Sequence, residues 1–259
     1  MEKIQYGQAV TFLVENVLED FKTEKSHVMY VQTKWHGDIL LMGPDKDSLE
    51  VQFSTLDEHR YHSMLVPDNL LYGNVLILGG GDGLALRDVY KNTFGKYVNR
   101  AVVVDYDEEF VERFGKSYER NKGSLTDPRT VIVHMDALDF VNSCDEKFDT
   151  VIVDLPDPDS AELQKLYLNI VSSISKVMKE ASRFLCHVGP VSLCEKHPNW
   201  KFIAEFSNRI KQITDSPPGL STAYIPSYCH EWGVIQFTKN LAVYAYGDPE
   251  IVNIYRRLV

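Results

Sequence analysis

The chain has 259 residues, 44% of them hydrophobic, with 27 basic against 37 acidic side chains and a formal charge of −10, enough for one large domain or a large and a small one. That acidic balance disfavours nucleic acid and anionic lipid as partners and favours small cations. No apolar run approaches the ~20 residues that span a bilayer, the start MEKIQYGQAV lacks the apolar core of a secretion signal, and the four cysteines form no C-x-x-C pair, so a cytoplasmic, thiol-reduced protein away from the membrane is expected.

In chain order, HVMYVQTKWHGDILLMG and LEVQFST read as short alternating strands broken by turn residues, which predicts a small antiparallel β-domain over residues 1–66. Beyond Pro67 the pattern changes to strand then helix, predicting a second domain over residues 67–259. NVLIL leads into a glycine turn and the helical LALRDVYKN; RAVVVD leads into EEFVERFGKSYERN, where Phe110, Phe114 and Tyr118 recur at helical spacing. TVIVHMD and FDTVIVD are two further buried strands. A helix around LQKLYLNIVSSISKVMKE, a strand SRFLCHV, a helix near NWKFIAEFSNRIKQI and a terminal pair, STAYIPSY and WGVIQFTKN, follow. Continuous apolar strands alternating with helices predict an α/β fold, a parallel sheet covered by helices on both faces with the last two strands as an antiparallel edge.

Ligands of such sheets bind beyond the carboxyl ends of the strands, where strand order reverses. Aspartates follow all four of the first strands: Asp82, Asp105, Asp136 and Asp154. Helix capping is the competing role for each of them. Gly79, Gly81 and Gly83 permit a tight turn and close backbone approach to a ligand, and Asp105, about 20 residues on, is placed to take ribose hydroxyls. A dinucleotide site would need glycine where Leu84 stands and would set Asp82 against a pyrophosphate. S-adenosylmethionine fits the turn better, yet Asp82 points toward its methionine tail. Two carboxylates ~4 Å apart repel by roughly 4 kcal/mol at an effective dielectric near 20. The turn therefore suits a sulfonium nucleoside whose tail has an amine and no carboxylate.

Four segments carry a resemblance to a known family: VQFSTLDEHRYHSML, LILGGGDG, VIVDLPDPD and YIPSYCHEWG. In this order the chain resembles the spermidine/spermine synthases, polyamine aminopropyltransferases. The resemblance implies a Rossmann-like methyltransferase-type sheet behind the small β-domain. It implies transfer of the aminopropyl group of decarboxylated S-adenosylmethionine to a di- or polyamine, with release of methylthioadenosine. Putrescine is expected ahead of spermidine as acceptor; Asp159, Glu231 and His230 beside Tyr228 would suit a longer one. The sulfonium nucleoside is a co-substrate, and neither a resident cofactor nor a metal is expected. The two histidines of HRYH lack a partner at metal spacing. The family also suggests a homo-oligomer, a dimer or tetramer.

By the same resemblance Asp154 is the general base. Asp157 holds the nearer amine of the acceptor, Tyr61 and Tyr228 line its channel, and His62 joins the substrate contacts. Asp82 holds the aminopropyl ammonium. Gln52, Gly79 and Gly81 contact the nucleoside, Asp105 the ribose, and Asp136 with Ala137 the adenine. The chain departs from the family pattern at Leu84, at Asp105 where glutamate is usual, in DPDSAELQ, at Met29, in the longer MGPDKDSLEVQ, and after the fifth strand, where His187 replaces a usual glutamine. The competing functions are an amine N-methyltransferase on the same fold and a non-catalytic nucleoside-binding relative.

Overall fold

The computed structural model describes residues 11–67, 72–91, 95–214, 217–239 and 249–258; the MEKIQYGQAV start lies outside them. Two compact units result, one running through His59 and taking in Ile225–His230, the other comprising Arg60–Tyr224 and the chain from Glu231.

The first unit is a four-stranded antiparallel meander, β1 (Val14–Lys22), β2 (His27–Thr33), β3 (Asp38–Gly43) and β4 (Glu50–Ser54), in that spatial order. Strands β2 to β4 coincide with the alternating segments of the sequence, and the HGD turn joins β2 to β3. Strand β1 is not evident in the sequence. It exposes every residue but Phe21 and pairs with β2 through two irregularities, so it has no buried face to generate alternation. The return of residues 225–230 to this unit has a polar cause. The carboxylate of buried Asp57 accepts the Ser227 amide at 2.7 Å on Oδ2 and the Ser227 hydroxyl at 2.8 Å on Oδ1. The sequence boundary at residue 67 thus lies a few residues past the division between the units, and the YIPSYCH segment is shared between them.

The larger unit holds a seven-stranded sheet. Its strands are β5 (Gly73–Gly79), β6 (Val98–Val104), β7 (Thr130–Val133), β8 (Phe148–Asp154), β9 (Met178–Val191), β10 (Gly219–Ile225) and β11 (His230–Thr238), in the order β10-β11-β9-β8-β5-β6-β7. Pairing is parallel from β7 through β6, β5 and β8 to β9, and β11 runs antiparallel to β9. Leu76, Ile77 and Leu78 of β5 and Val151, Ile152 and Val153 of β8 are buried on both faces, which is why these strands read as unbroken apolar runs.

The α-helices among the described residues are α1 (Glu58–Leu65), α2 (Leu84–Lys91), α3 (Glu108–Phe110), α4 (Ala137–Ser143), α5 (Ala161–Ser173), α6 (Pro198–Thr214) and α7 (Pro249–Leu258), with short 3-10 turns between elements. The helix expected from Glu108 is shorter and less regular than its aromatic spacing suggests. After α3 the chain widens into a π-turn over Val111–Gly115, and Tyr118 is already extended. The spacing still serves packing: Phe110, Phe114 and Tyr118 stack with ring centroids 5.5 and 4.9 Å apart. The helix expected to run to Glu180 stops at Ser173, and Met178 opens β9. Below the sheet, Phe184 of β9 lies against Phe206 of α6 and Phe237 of β11, and Tyr255 of α7 donates to the Pro218 carbonyl at 2.8 Å.

Candidate active site

Chain order reverses between β5 and β8. From β5 the chain proceeds outward to β6 and β7, then crosses back to β8 on the other side, so the crevice at the carboxyl ends of β5 and β8 is the switch point. The glycine turn leaves β5 there, and Gly79 pairs in register with Asp154, the last residue of β8. The Gly80 amide donates to the Asp154 carbonyl at 3.1 Å. The Asp154 carboxylate meets Tyr61, whose hydroxyl donates to Oδ1 at 2.6 Å. Tyr61 comes from α1, and its ring stands edge-on to buried His62 at 5.2 Å and to His187 at 5.9 Å.

The turn is held by residues that sequence reasoning passed over. Asn121 donates from its side chain to the Asp82 carbonyl at 2.9 Å, and the Ser124 hydroxyl donates to the Gly83 carbonyl at 2.7 Å. Gly115 lies so close to the Gly81 carbonyl that a β-carbon there would overlap it. In the sequence Gly115 and Asn121 lie inside EEFVERFGKSYERN and Ser124 just past it, where the aromatic spacing marks Phe110, Phe114 and Tyr118 but none of these three.

Asp105 is a tie for the turn. Its Oδ2 accepts the Gly81 amide and its Oδ1 the Asp107 amide, each at 3.0 Å. Burial raises its carboxyl above the usual range, opposed by those two amides and assisted by the Asp107 charge. Asp107 itself caps α3, accepting the Phe110 amide at 3.1 Å. Half-exposed Tyr106 registers the local concentration of acid: its hydroxyl is pushed up by burial first and then by Asp105, Asp107 and Asp136.

Capping, the competing role for the strand-end aspartates, is realised at two of them. Asp82 Oδ1 accepts the Leu84 amide at 2.8 Å at the start of α2. Exposed Asp136 is the N-cap of α4, its Oδ1 accepting the amides of Leu138 at 2.8 Å and Asp139 at 3.1 Å. Ala137, beside it, is buried as the first residue of that helix. Asp136→Ala is expected to cost about 1 kcal/mol in chemical denaturation and Asp136→Asn only a fraction of that. At Asp136 both bonds to the helix fall on Oδ1.

Beyond Asp154 the loop 155–159 is fixed from behind by Tyr167 of α5. Its hydroxyl lies 3.1 Å from the Leu155 carbonyl and 3.0 Å from the Pro156 carbonyl. Asp157 is about one-third exposed, and its Oδ1 stands 3.8 Å from His187 Nδ1. Gln52 and Tyr228 belong to the first unit, where the Tyr228 hydroxyl donates to the Gln52 main-chain carbonyl. The larger unit therefore gathers Tyr61, Asp154, the glycine turn and Asp105 by direct contact.

A family model described as the spermine/spermidine synthase domain matches residues 58–245. The chain belongs to that family. Within the span matched by the spermine/spermidine synthase model lie Tyr61, Asp82, Asp105, Asp136, Asp154, Asp157 and Tyr228; Gln52 precedes it. Among curated proteins the chain is similar to polyamine aminopropyltransferase 1 of Streptomyces coelicolor, 44% identical over 124 residues that make up 46% of this chain and 23% of that protein. It is similar also to a polyamine aminopropyltransferase of Saccharolobus islandicus, 41% identical over 154 residues, 56% of this chain and 48% of that one. The chain thus spans about half or less of the length of these relatives. Two solved structures share the fold. A spermidine synthase in complex with the transition-state analogue AdoDATO superposes with a TM-score of 0.74 at 19% identity, over 94% of this chain and 86% of that one. Spermidine synthase from Thermotoga maritima gives 0.69 at 19% identity, over 94% and 85%. These likenesses agree with the Rossmann-like sheet and antiparallel amino-terminal sheet expected of the spermine/spermidine synthase family. Among the described residues no helix is long and apolar enough to cross a membrane.

Proposed function

We propose that the chain is a polyamine aminopropyltransferase, moving the aminopropyl group of decarboxylated S-adenosylmethionine to a primary amine and releasing methylthioadenosine. The observation that carries this reading is the placement of Asp154 at the switch point, in register with the glycine turn and oriented by the Tyr61 hydroxyl. The sulfonium is already a good leaving group, so the difficulty lies with the nucleophile. An ammonium with a pKa near 10.4 must give up a proton to expose its lone pair, about 4–5 kcal/mol at pH 7. Asp154 takes that proton as general base while the amine nitrogen forms a bond to the methylene carbon and the carbon–sulfur bond breaks toward sulfur. Asp157 holds the incoming amine.

Asp82 binds the ammonium of the departing aminopropyl group, and this aligns the carbon with the attacking nitrogen. Asp105 and Asp136 take the ribose and adenine. Each of their oxygens already engaged by a main-chain amide retains acceptor capacity for a second donor. No resident cofactor or metal has a part in this chemistry. Putrescine is the preferred acceptor, with spermidine second.

The test is incubation of the purified chain with decarboxylated S-adenosylmethionine and a panel of amines. Methylthioadenosine should appear with putrescine or spermidine. Its absence with every amine sinks the proposal, and S-adenosylhomocysteine formed from S-adenosylmethionine would put methyl transfer in its place.

A further inference from the structure

The loop from Asp154 to Asp159 has few means of holding itself. Pro156 and Pro158 have no main-chain N–H, yet every carbonyl from Asp154 to Pro158 receives a hydrogen bond. The Gly80 amide donates to Asp154 at 3.1 Å and the Asp159 amide to Asp157 at 2.8 Å. The other three carbonyls are met by side chains behind the loop. Gln164 donates from Nε2 to the Pro158 carbonyl at 3.0 Å. The Tyr167 hydroxyl stands 3.1 Å from the Leu155 carbonyl and 3.0 Å from that of Pro156, and His187 Nε2 lies 2.7 Å from the Leu155 carbonyl and 2.6 Å from the Tyr167 oxygen.

Two protons serve this cluster. A carbonyl oxygen can only accept, so His187 donates from Nε2 to Leu155 and the single Tyr167 proton is left for Pro156. Among the described residues no other donor reaches the Pro156 carbonyl. Tyr167 is 1% exposed. Burial above all, then Cys186, Asp157 and Asp154, pushes its hydroxyl well above the usual tyrosine range, so it stays a donor at neutral pH. Gln164 and Tyr167 are three residues apart on α5 and therefore share a face. The helix is itself anchored: Ser160 Oγ caps it by accepting the Leu163 amide at 3.2 Å, and the Tyr167 ring meets Phe202 edge-on at 6.2 Å.

We propose that Tyr167, seconded by Gln164, is a positioning residue for the transfer reaction: their bonds to the Pro156 and Pro158 carbonyls fix the chain that leaves Asp154 and so hold the base on its line to the amine. This rests on the aminopropyltransferase reading and adds to it the groups that orient the base from behind. Asp154 is the last residue of β8, so the sheet secures the main chain on one side of it and these bonds secure the other. Displacing a reacting group by ~1 Å costs on the order of a hundredfold in rate. The glycine turn has separate support from Asn121, Ser124 and Asp105, so loss of the Tyr167 hydroxyl should fall on turnover and spare the nucleoside.

Turnover is read as methylthioadenosine released from decarboxylated S-adenosylmethionine with putrescine. Tyr167→Phe keeps the ring and removes only the hydroxyl; kcat should fall roughly ten- to hundredfold, with the Kd of methylthioadenosine within about twofold. The deciding measurement is the same substitution made in Asp154→Asn. There the base is already gone, so the added loss should be less than about threefold, whereas a merely structural role would carry its full loss into that background. A kcat within about twofold of the parent, a methylthioadenosine affinity that weakens in step with kcat, or an equal loss in the two backgrounds overturns the positioning role alone. Full turnover by Asp154→Asn, or none by the parent chain, overturns this role together with the reading it rests on. If Tyr167→Phe does not fold, Gln164→Leu is carried through the same cycle: a loss of about fivefold in the parent and less than about twofold in Asp154→Asn is expected, and equal losses or none overturn the role.

Discussion

Asp154→Asn is expected to lower turnover at least about a hundredfold while leaving affinity for the sulfonium nucleoside within about twofold. The substitution changes little besides basicity. Asparagine keeps the shape of the side chain, and its amide oxygen can still accept the Tyr61 hydroxyl that Asp154 Oδ1 accepts at 2.6 Å. The main-chain carbonyl that receives the Gly80 amide is untouched. What is lost is the capacity to take a proton from the ammonium. Single-turnover rates and equilibrium binding of methylthioadenosine separate the two quantities. Weakened binding with unchanged turnover would place Asp154 among the nucleoside contacts and leave the reaction without its base.

The parts of this site visible in the sequence are those fixed by local chemistry. Three of the four strand ends carrying aspartate were legible because β5, β6 and β8 are largely buried and end abruptly; β7, expected to be buried as well, has an exposed Val131 and no fully buried residue, so its β-branched run alone marked it. The glycine turn was legible because few other residues tolerate its backbone. What each aspartate does in the folded chain was not. Asp82 and Asp136 cap helices and Asp105 ties down the turn, roles that depend on where the neighbouring amides point. The contact of His187 with Tyr167 was equally hidden, since it joins the interior of β9 to the middle of α5. So was the return of Ile225–His230 to the first unit, which depends on a buried bond from Ser227 to Asp57. Strand β1 escaped for the opposite reason: with nearly every side chain exposed, pairing and not burial makes it a strand.

Gly79→Ala should be the most damaging single-methyl change at the site, because two separate costs meet there. Gly79 has φ +83, a left-handed conformation that costs an L-residue roughly 1–2 kcal/mol. Its added β-carbon would also overlap the Asp154 carbonyl oxygen, and that oxygen belongs to a strand paired in register with β5 and to the bond from the Gly80 amide. Neither partner is a flexible side chain, so the backbone of one strand end must move. The sum should reach about 3 kcal/mol or more, lowering the melting midpoint by roughly 6–12 °C for a domain of this size. Displacing the Asp154 backbone by even ~1 Å would also reduce turnover on the order of a hundredfold in what remains folded. The combination distinguishes this variant from Asp154→Asn, which should lose turnover with an unshifted midpoint. A Gly79→Ala protein that melts within about 2 °C of the parent would mean that the turn relaxes freely, and that close packing of the two strand ends does not hold the base in place.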